Sequence, residues 1–288
     1  MADISAAMVM ELRKISGQGM MDCKKALQET DGDVQKAMDV LRKKGLATLA
    51  KRAGRETSEG LVVHKSSDDG RTTILATLCC ETDFVAKSDD FIKTAEALAD
   101  FALACEADEG ADNVLETAID GKKFSDLLTE TVSKTGEKTD VGDYAKYKLD
   151  GPGFICTYIH FNHKVGTMVQ IETGDDATAQ AEAIRQIASD IAMHITATKP
   201  LALDKEQIDP ATVEREKAIF AEQVQNKPAQ IVDKIVEGKM KKFFAENCLL
   251  QQAFVKDDSK TVEQVLADAA KQAGGQVGIK RFVRFEVG

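Results

Sequence analysis

The chain has 288 residues, four Pro, no Trp and a net charge of -10. Its length and its 43% hydrophobic content suit a folded protein of roughly two domains. The acidic balance argues against a general nucleic-acid binder, because neutralising phosphates takes a basic surface, and no apolar run reaches the ~18 residues of a membrane span.

The start, Met1-Ala2-Asp3-Ile4, has neither the basic nor the apolar region of a signal peptide, so a cytoplasmic protein is expected. Residues 11–55 carry 11 Lys or Arg against six Asp or Glu. Such a basic end suits an acidic partner or RNA as readily as it suits plain solvation. Residues 4–45 predict three short helices. Val9, Leu12 and Ile15 are spaced for one helix face, and Gly17-Gln18-Gly19 breaks that helix. A second helix covers 22–29, Asp31-Gly32-Asp33 is a turn and cap, and Val34, Ala37 and Leu41 mark a third. Gly45 after Arg42-Lys43-Lys44 predicts its C-terminal end. Residues 51–58 are polar and basic, as in a linker.

Leu61 to His64, a polar turn at 66–70 and Thr72 to Leu78 predict a β-hairpin. The run Glu81-Thr82-Asp83-Phe84-Val85-Ala86-Lys87 follows, and Ser88-Asp89-Asp90-Phe91 then predicts the capped start of a helix to 105. Residues 81–87 therefore form a strand-to-helix corner that can aim an aromatic outward; the plainer alternative makes Thr82 a turn cap and Phe84 ordinary core. Residues 106–120 hold six acids and no base. A similar order of elements recurs later, with a hairpin from 156–161 and 166–172 and a helix over 177–196. Two α+β halves, each covering a sheet face with a helix, are expected. Residues 211–254 predict a helical hairpin, with Val213, Phe220 and Val224 on one stripe, Asn226-Lys227-Pro228 as the turn, and Ile231, Ile235 and Phe243 on the return. A helix over 261–273 and a strand over 282–287 close the chain.

Nothing here forms a convincing catalytic site. No glycine-rich piece is followed by Lys-Ser/Thr, so a P-loop is absent. His64, His160 and His163 have no Cys or acid at ligand spacing. The six cysteines, Cys23, Cys79, Cys80, Cys105, Cys156 and Cys248, form no CxxC pair and read as small buried hydrophobes in a reducing compartment. Acid pairs such as Asp89-Asp90 fall at helix starts, where they cap. No metal, cofactor or catalytic residue is expected.

Three separated motifs carry a resemblance. Leu12-Arg13-Lys14-Ile15-Ser16-Gly17 with Gly19-Met20-Met21-Asp22-Cys23-Lys24-Lys25-Ala26-Leu27, the corner 81–87, and Gly238-Lys239-Met240 with Lys242-Phe243-Phe244-Ala245-Glu246 occur in the order found in the bacterial elongation factor Ts family, which the chain resembles over nearly its whole length. That family exchanges guanine nucleotide on the translational GTPase elongation factor Tu. The resemblance implies an α+β fold with a three-helix ubiquitin-associated-like domain over 1–50, a linker over 51–58, and two related core subdomains over 59–150 and 151–288, the second carrying a coiled-coil hairpin at about 211–254. It implies elongation factor Tu as the partner, GDP-bound and nucleotide-free, with no direct nucleic-acid or membrane contact; a 2:2 assembly is compatible with it. By the same resemblance Asp83 and Phe84 intrude beside the magnesium site of that GTPase, and Thr82, Val85, Lys24, Val165, Gly166, His194 and Val255 are further contacts. Three departures are visible, one of them at Ser88-Asp89-Asp90, which differs slightly from the family's usual wording after the corner. Cys79-Cys80 stand where the family commonly has Asn-Cys, and the sequence ends at Gly288 where many members continue into an acidic helical module, which bears on affinity more than on mechanism. The competing functions are an adaptor binding through Met20 and Met21 without effect on nucleotide, and an enzyme using the acidic surface.

Overall fold

A computed structural model describes residues 4–224 and 228–288, so Met1, Ala2 and Asp3 of the start and Asn226 and Lys227 of the expected hairpin turn lie outside the described residues. The fold is α+β. It divides into two units: residues 1–147 with 159–166 and 285–288, and residues 148–158 with 167–284.

The first unit begins with α1 (Ala6–Ser16), α2 (Met20–Glu29) and α3 (Val34–Arg52). Ser5 accepts the Met8 N–H and Asp33 accepts the Lys36 N–H, so α1 and α3 start at side-chain caps. Val9, Leu12, Cys23, Ala26, Leu27, Ala37 and Leu41 make their common core. Ile15 does not join it and is 59% exposed; the buried stripe of α1 runs Val9, Leu12, Ser16 instead.

α3 also overruns its expected end. Gly45 is a buried interior residue, not a stop, and the helix continues to Arg52. The reason is tertiary. α3 lies against α7 (Phe124–Thr135) so closely that a Cβ on Gly45 would sit 2.7 Å from the Thr129 carbonyl oxygen and 2.9 Å from Ser133 Cβ. Glycine is needed here for close approach, and local signals cannot distinguish that from a helix end.

β1 (Glu59–Ser66) and β2 (Thr72–Cys80) pair antiparallel, Glu59 opposite Cys80 and Ser66 opposite Thr73. After them come α4 (Asp83–Ala86), α5 (Asp89–Ala104), α6 (Ala111–Glu116), the small pair β3 (Ala118–Ile119) and β4 (Lys122–Lys123), then α7 and β5 (Thr139–Lys148). The sheet order is β1-β2-β5. Ile74, Leu78, Phe91, Leu98, Phe101 and Phe124 fill the core beneath it, the two last with ring centroids 5.4 Å apart. The Tyr144 hydroxyl lies 3.0 and 2.8 Å from the carbonyls of Ala102 and Ala107, where the chain leaves α5.

β6 (Gly153–Ile159), β7 (Val165–Thr173) and β10 (Val277–Glu286), which apart from Ile159, Val165, Gly166, Phe285 and Glu286 belong to the second unit, form a sheet in the order β10-β7-β6. α8 (Asp176–Gln180), α9 (Glu182–Thr198) and α12 (Val262–Ala273) accompany it. Val169, Ile171, Ile184, Ile191, Ile195, Val262 and Ile279 are central to its core. α10 (Pro210–Glu222) and α11 (Ala229–Asn247) form the helical hairpin. Val213 packs with Phe243 and Phe244 around Ala202, Ile208 and Cys248, and Lys239 Nζ lies 5.4 Å from the Phe220 ring centroid, which makes the pair antiparallel. Ile231 is exposed rather than packed on the stripe. The last elements before β10 include the short pair β8 (Ala253–Phe254) and β9 (Asp257–Thr261).

Candidate functional site

The corner after β2 is built by two side-chain caps in succession. Thr82 is extended, at φ -131 and ψ 155, and its hydroxyl accepts the Val85 N–H at 3.4 Å. That starts α4, a single turn. Ser88 then accepts the Phe91 N–H at 3.4 Å and donates to the Val85 carbonyl at 2.8 Å, which starts α5 immediately. Helix nucleation is costly for so short a turn, so α4 exists because both ends are fixed. Ala86 is buried and Val85 half-buried, whereas Phe84 points away and is 84% exposed. The ordinary-core alternative for Phe84 is thereby removed. A large apolar ring held in water on a fixed backbone is a surface available to a partner.

Asp83 sits one residue before the ring. Its carboxylate accepts from Lys87 Nζ at 2.7 Å. The Lys87 hydrogen bond, with charge from Lys87 and Lys164, holds its carboxyl below the usual carboxylate range. Cys80 packs beneath; its thiol donates to the Thr82 carbonyl at 3.3 Å, and burial pushes it up to about 12. Two carboxylates from either side of the corner complete it. Glu137 receives the Thr82 N–H at 3.1 Å and the Thr82 hydroxyl at 2.8 Å. Glu81 receives the Lys138 N–H at 2.6 Å and lies 2.8 Å from Arg52 Nη1.

Val165 and Gly166 belong to the same unit. The turn before them is tight: the His160 N–H donates to the Val165 carbonyl at 2.9 Å, and His163 adopts φ 57. The Val62 N–H donates to the His163 carbonyl at 2.7 Å, and Lys164 pairs with Glu59 at 2.6 Å. Gly166 is enclosed, since a Cβ there would lie 2.6 Å from Val62 Cγ1 and 2.7 Å from Ile159 Cδ1. Phe161, not singled out in the sequence, stands at this turn and is also 84% exposed. A polar turn holding a lone aromatic, His160-Phe161-Asn162-His163, is the signal that was available. Lys24 is exposed on α2 beside Met20 and Met21. It belongs to the three-helix cluster and not to the corner.

His194 and Val255 lie in the second unit, where the structure brings them together. The Val255 N–H donates to His194 Nδ1 at 3.2 Å, and His194 Nε2 is 2.9 Å from Gln252 Oε1. His194 is fully buried. The resemblance assigns His194 as a contact; in this structure its side chain is buried and supports the turn that presents Val255, which is 50% exposed.

Among the described residues, no group of three or more His, Cys, Asp or Glu is placed to hold a metal ion. Among those residues no helix is long and apolar enough to cross a membrane.

Comparison with known proteins adds an independent observation. The family model described as "Elongation factor TS" matches residues 81–288. "Elongation factor Ts" of Clostridium botulinum (strain Eklund 17B / Type B) is 42% identical over 287 residues, 99% of this chain and 93% of that protein. The protein of the same name from Desulfovibrio desulfuricans is 40% identical over 290 residues, 100% of this chain and 99% of its own. That from Chlorobium phaeobacteroides is 41% identical over 293 residues, with both chains fully covered.

Proposed function

The chain belongs to the elongation factor Ts family, and from that premise we propose that it binds elongation factor Tu and promotes release of GDP. Membership makes it a protein of translation elongation. Its site of action would be the cytoplasm, where translation runs.

An exchange factor needs no active site. It must bind the nucleotide-free GTPase more tightly than the nucleotide-bound one, and by reciprocity the nucleotide is then held more weakly by the same factor. GDP and Mg²⁺ are gripped by P-loop and switch residues of the GTPase. A rigid apolar wedge that displaces those residues loosens the magnesium first and the diphosphate after it. Phe84 fits that role and Asp83, held by Lys87, supplies a carboxylate beside it. The observation that carries the proposal is the exposed Phe84 ring on a corner fixed by two caps. Such preorganisation avoids an ordering cost at the moment of binding. Lys24, Val165, Gly166 and Val255 are the further proposed contacts, with His194 acting through Val255.

The test is release of fluorescent GDP from elongation factor Tu across magnesium concentrations. Acceleration at substoichiometric amounts, lost in Phe84→Ala, is the expected result. A folded Phe84→Ala protein with undiminished exchange would remove the assignment. The exposed Met20 and Met21 favour one second function, an adaptor that binds its partner through α2 and leaves the nucleotide untouched.

A further inference from the structure

Residues 81–82 and 137–138 clasp one another. The carboxylate of Glu81 takes the N–H of Lys138, and the carboxylate of Glu137 takes the N–H of Thr82. Each pair thus donates one amide and offers one carboxylate to the other. The Thr82 hydroxyl decides what this does to the corner. Its proton points to Glu137 Oε1 at 2.8 Å, which leaves a lone pair facing the Val85 N–H. A hydroxyl has a single proton, so Glu137 sets the polarity of the cap that starts α4. The clasp extends further. Glu81 also binds Arg52 at the end of α3, and Lys138 Nζ reaches the carbonyls of Ala53 and Arg55 at 3.2 and 3.3 Å. Burial pushes the Glu81 carboxyl up, but the Lys138 N–H and Arg52 outweigh it and hold it below the usual range.

We propose that Glu137 is a positioning residue for nucleotide exchange: with the Glu81–Arg52 pair it locks the one-turn helix that presents Asp83 and Phe84 to the GTPase. This rests on the exchange function proposed above. Glu137 itself need touch nothing in the partner. A four-residue turn without the clasp samples other conformations, and ordering it is then charged against the state in which the nucleotide is displaced. The loss therefore falls on the maximal release rate and not on the concentration of factor giving half of it.

The test uses the full chain and GDP release from elongation factor Tu at saturating factor, for the parent, Glu137→Gln, Glu137→Ala, Phe84→Ala and the double variant Glu137→Ala/Phe84→Ala. Glu137→Gln keeps the shape but turns an NH₂ toward one of the two Thr82 donors, so it remains informative if Glu137→Ala folds poorly. The expected result is a maximal rate about tenfold lower in Glu137→Ala, the scale of a lost charge-assisted bond, with half-saturation little changed. In the Phe84→Ala background the same change should lose most of its effect, because Glu137 acts chiefly through that ring and only the Asp83 contact is left for it to position. Multiplying effects in the double variant, or a wild-type rate in Glu137→Gln with Phe84→Ala impaired, would overturn the positioning role. A parent protein that does not accelerate release at all would instead overturn the exchange function. Amide hydrogen exchange at residues 83–86 reads the clasp without reference to activity: faster exchange in Glu137→Gln supports it, and unchanged protection sinks it.

Discussion

The N–H of Val255 donates to Nδ1 of His194 at 3.2 Å, which makes that nitrogen an acceptor and places the ring proton on Nε2. Nε2 then donates to Gln252 Oε1 at 2.9 Å. The amide of Gln252 is oriented for this, since its Nε2 donates to the Glu246 carbonyl at 2.8 Å. The arrangement holds only with a neutral imidazole.

A pH dependence of stability follows. Burial lowers the His194 pKa from its usual value of 6.5, outweighing the Gln252 bond that raises it. The unfolded chain therefore binds a proton more readily than the folded one. The stabilisation is complete above pH 6.5 and is lost as pH falls below it, toward the depressed folded value. The slope from this group is at most about 1.4 kcal/mol per pH unit. Thermal unfolding between pH 8 and pH 5 should show the fall, and His194→Phe should flatten it. That variant leaves the Val255 N–H unpaired, at a cost of about 1–3 kcal/mol.

Two interior helix glycines should respond to alanine with opposite signs. In α3, Gly45→Ala puts a methyl 2.7 Å from the Thr129 carbonyl oxygen and is expected to cost about 1–3 kcal/mol by overpacking. In α11, Gly238 has nothing within 4 Å of its Cβ direction. Gly238→Ala should stabilise by about 0.5–1 kcal/mol, the helix-propensity difference. Urea unfolding of the two variants beside the parent checks both signs.

The same glycines show what the sequence carried and where it stopped. Caps are local, so Thr82 and Ser88 announced the corner, and Val34, Ala37 and Leu41 announced α3. Gly45 read as a helix end because the reason for it is Thr129, far along the chain. α7 and β5 went unread within 106–150, although Phe124, Leu128 and Val132 repeat at a helical spacing. The partners of His194 were likewise not legible, since Gln252 and Val255 fold over it from far along the chain. Exposure of Phe84 could not follow from its neighbours in sequence either. It depends on Ala86 facing the core, and on Glu137 arriving from the loop between α7 and β5.

The thiols should be quiet in the native protein. Cys80 is pushed up to about 12 and Cys156 and Cys248 to about 11, in each case chiefly by burial. At pH 8 each is thiolate to about one part in a thousand or less, and the thiolate is the form that reacts. Iodoacetamide should modify the folded chain slowly, then modify all six cysteines once it is unfolded. Rapid native labelling at Cys80 would mean the corner opens readily.

Phe84 and Phe161 offer a controlled comparison because both rings are 84% exposed. Truncating an exposed side chain away from special features changes stability by no more than about 0.5 kcal/mol. Phe84→Ala and Phe161→Ala should therefore unfold at the parent's urea midpoint. Any change in exchange is then a change in contact and not in folding. An aromatic buried at the centre of an interface typically contributes 2 kcal/mol or more, so Phe84→Ala should slow catalysed GDP release by roughly thirtyfold, at 1.4 kcal/mol per factor of ten. Stopped-flow release at saturating factor measures it. A loss confined to Phe161→Ala would move the wedge from the corner to the turn between β6 and β7.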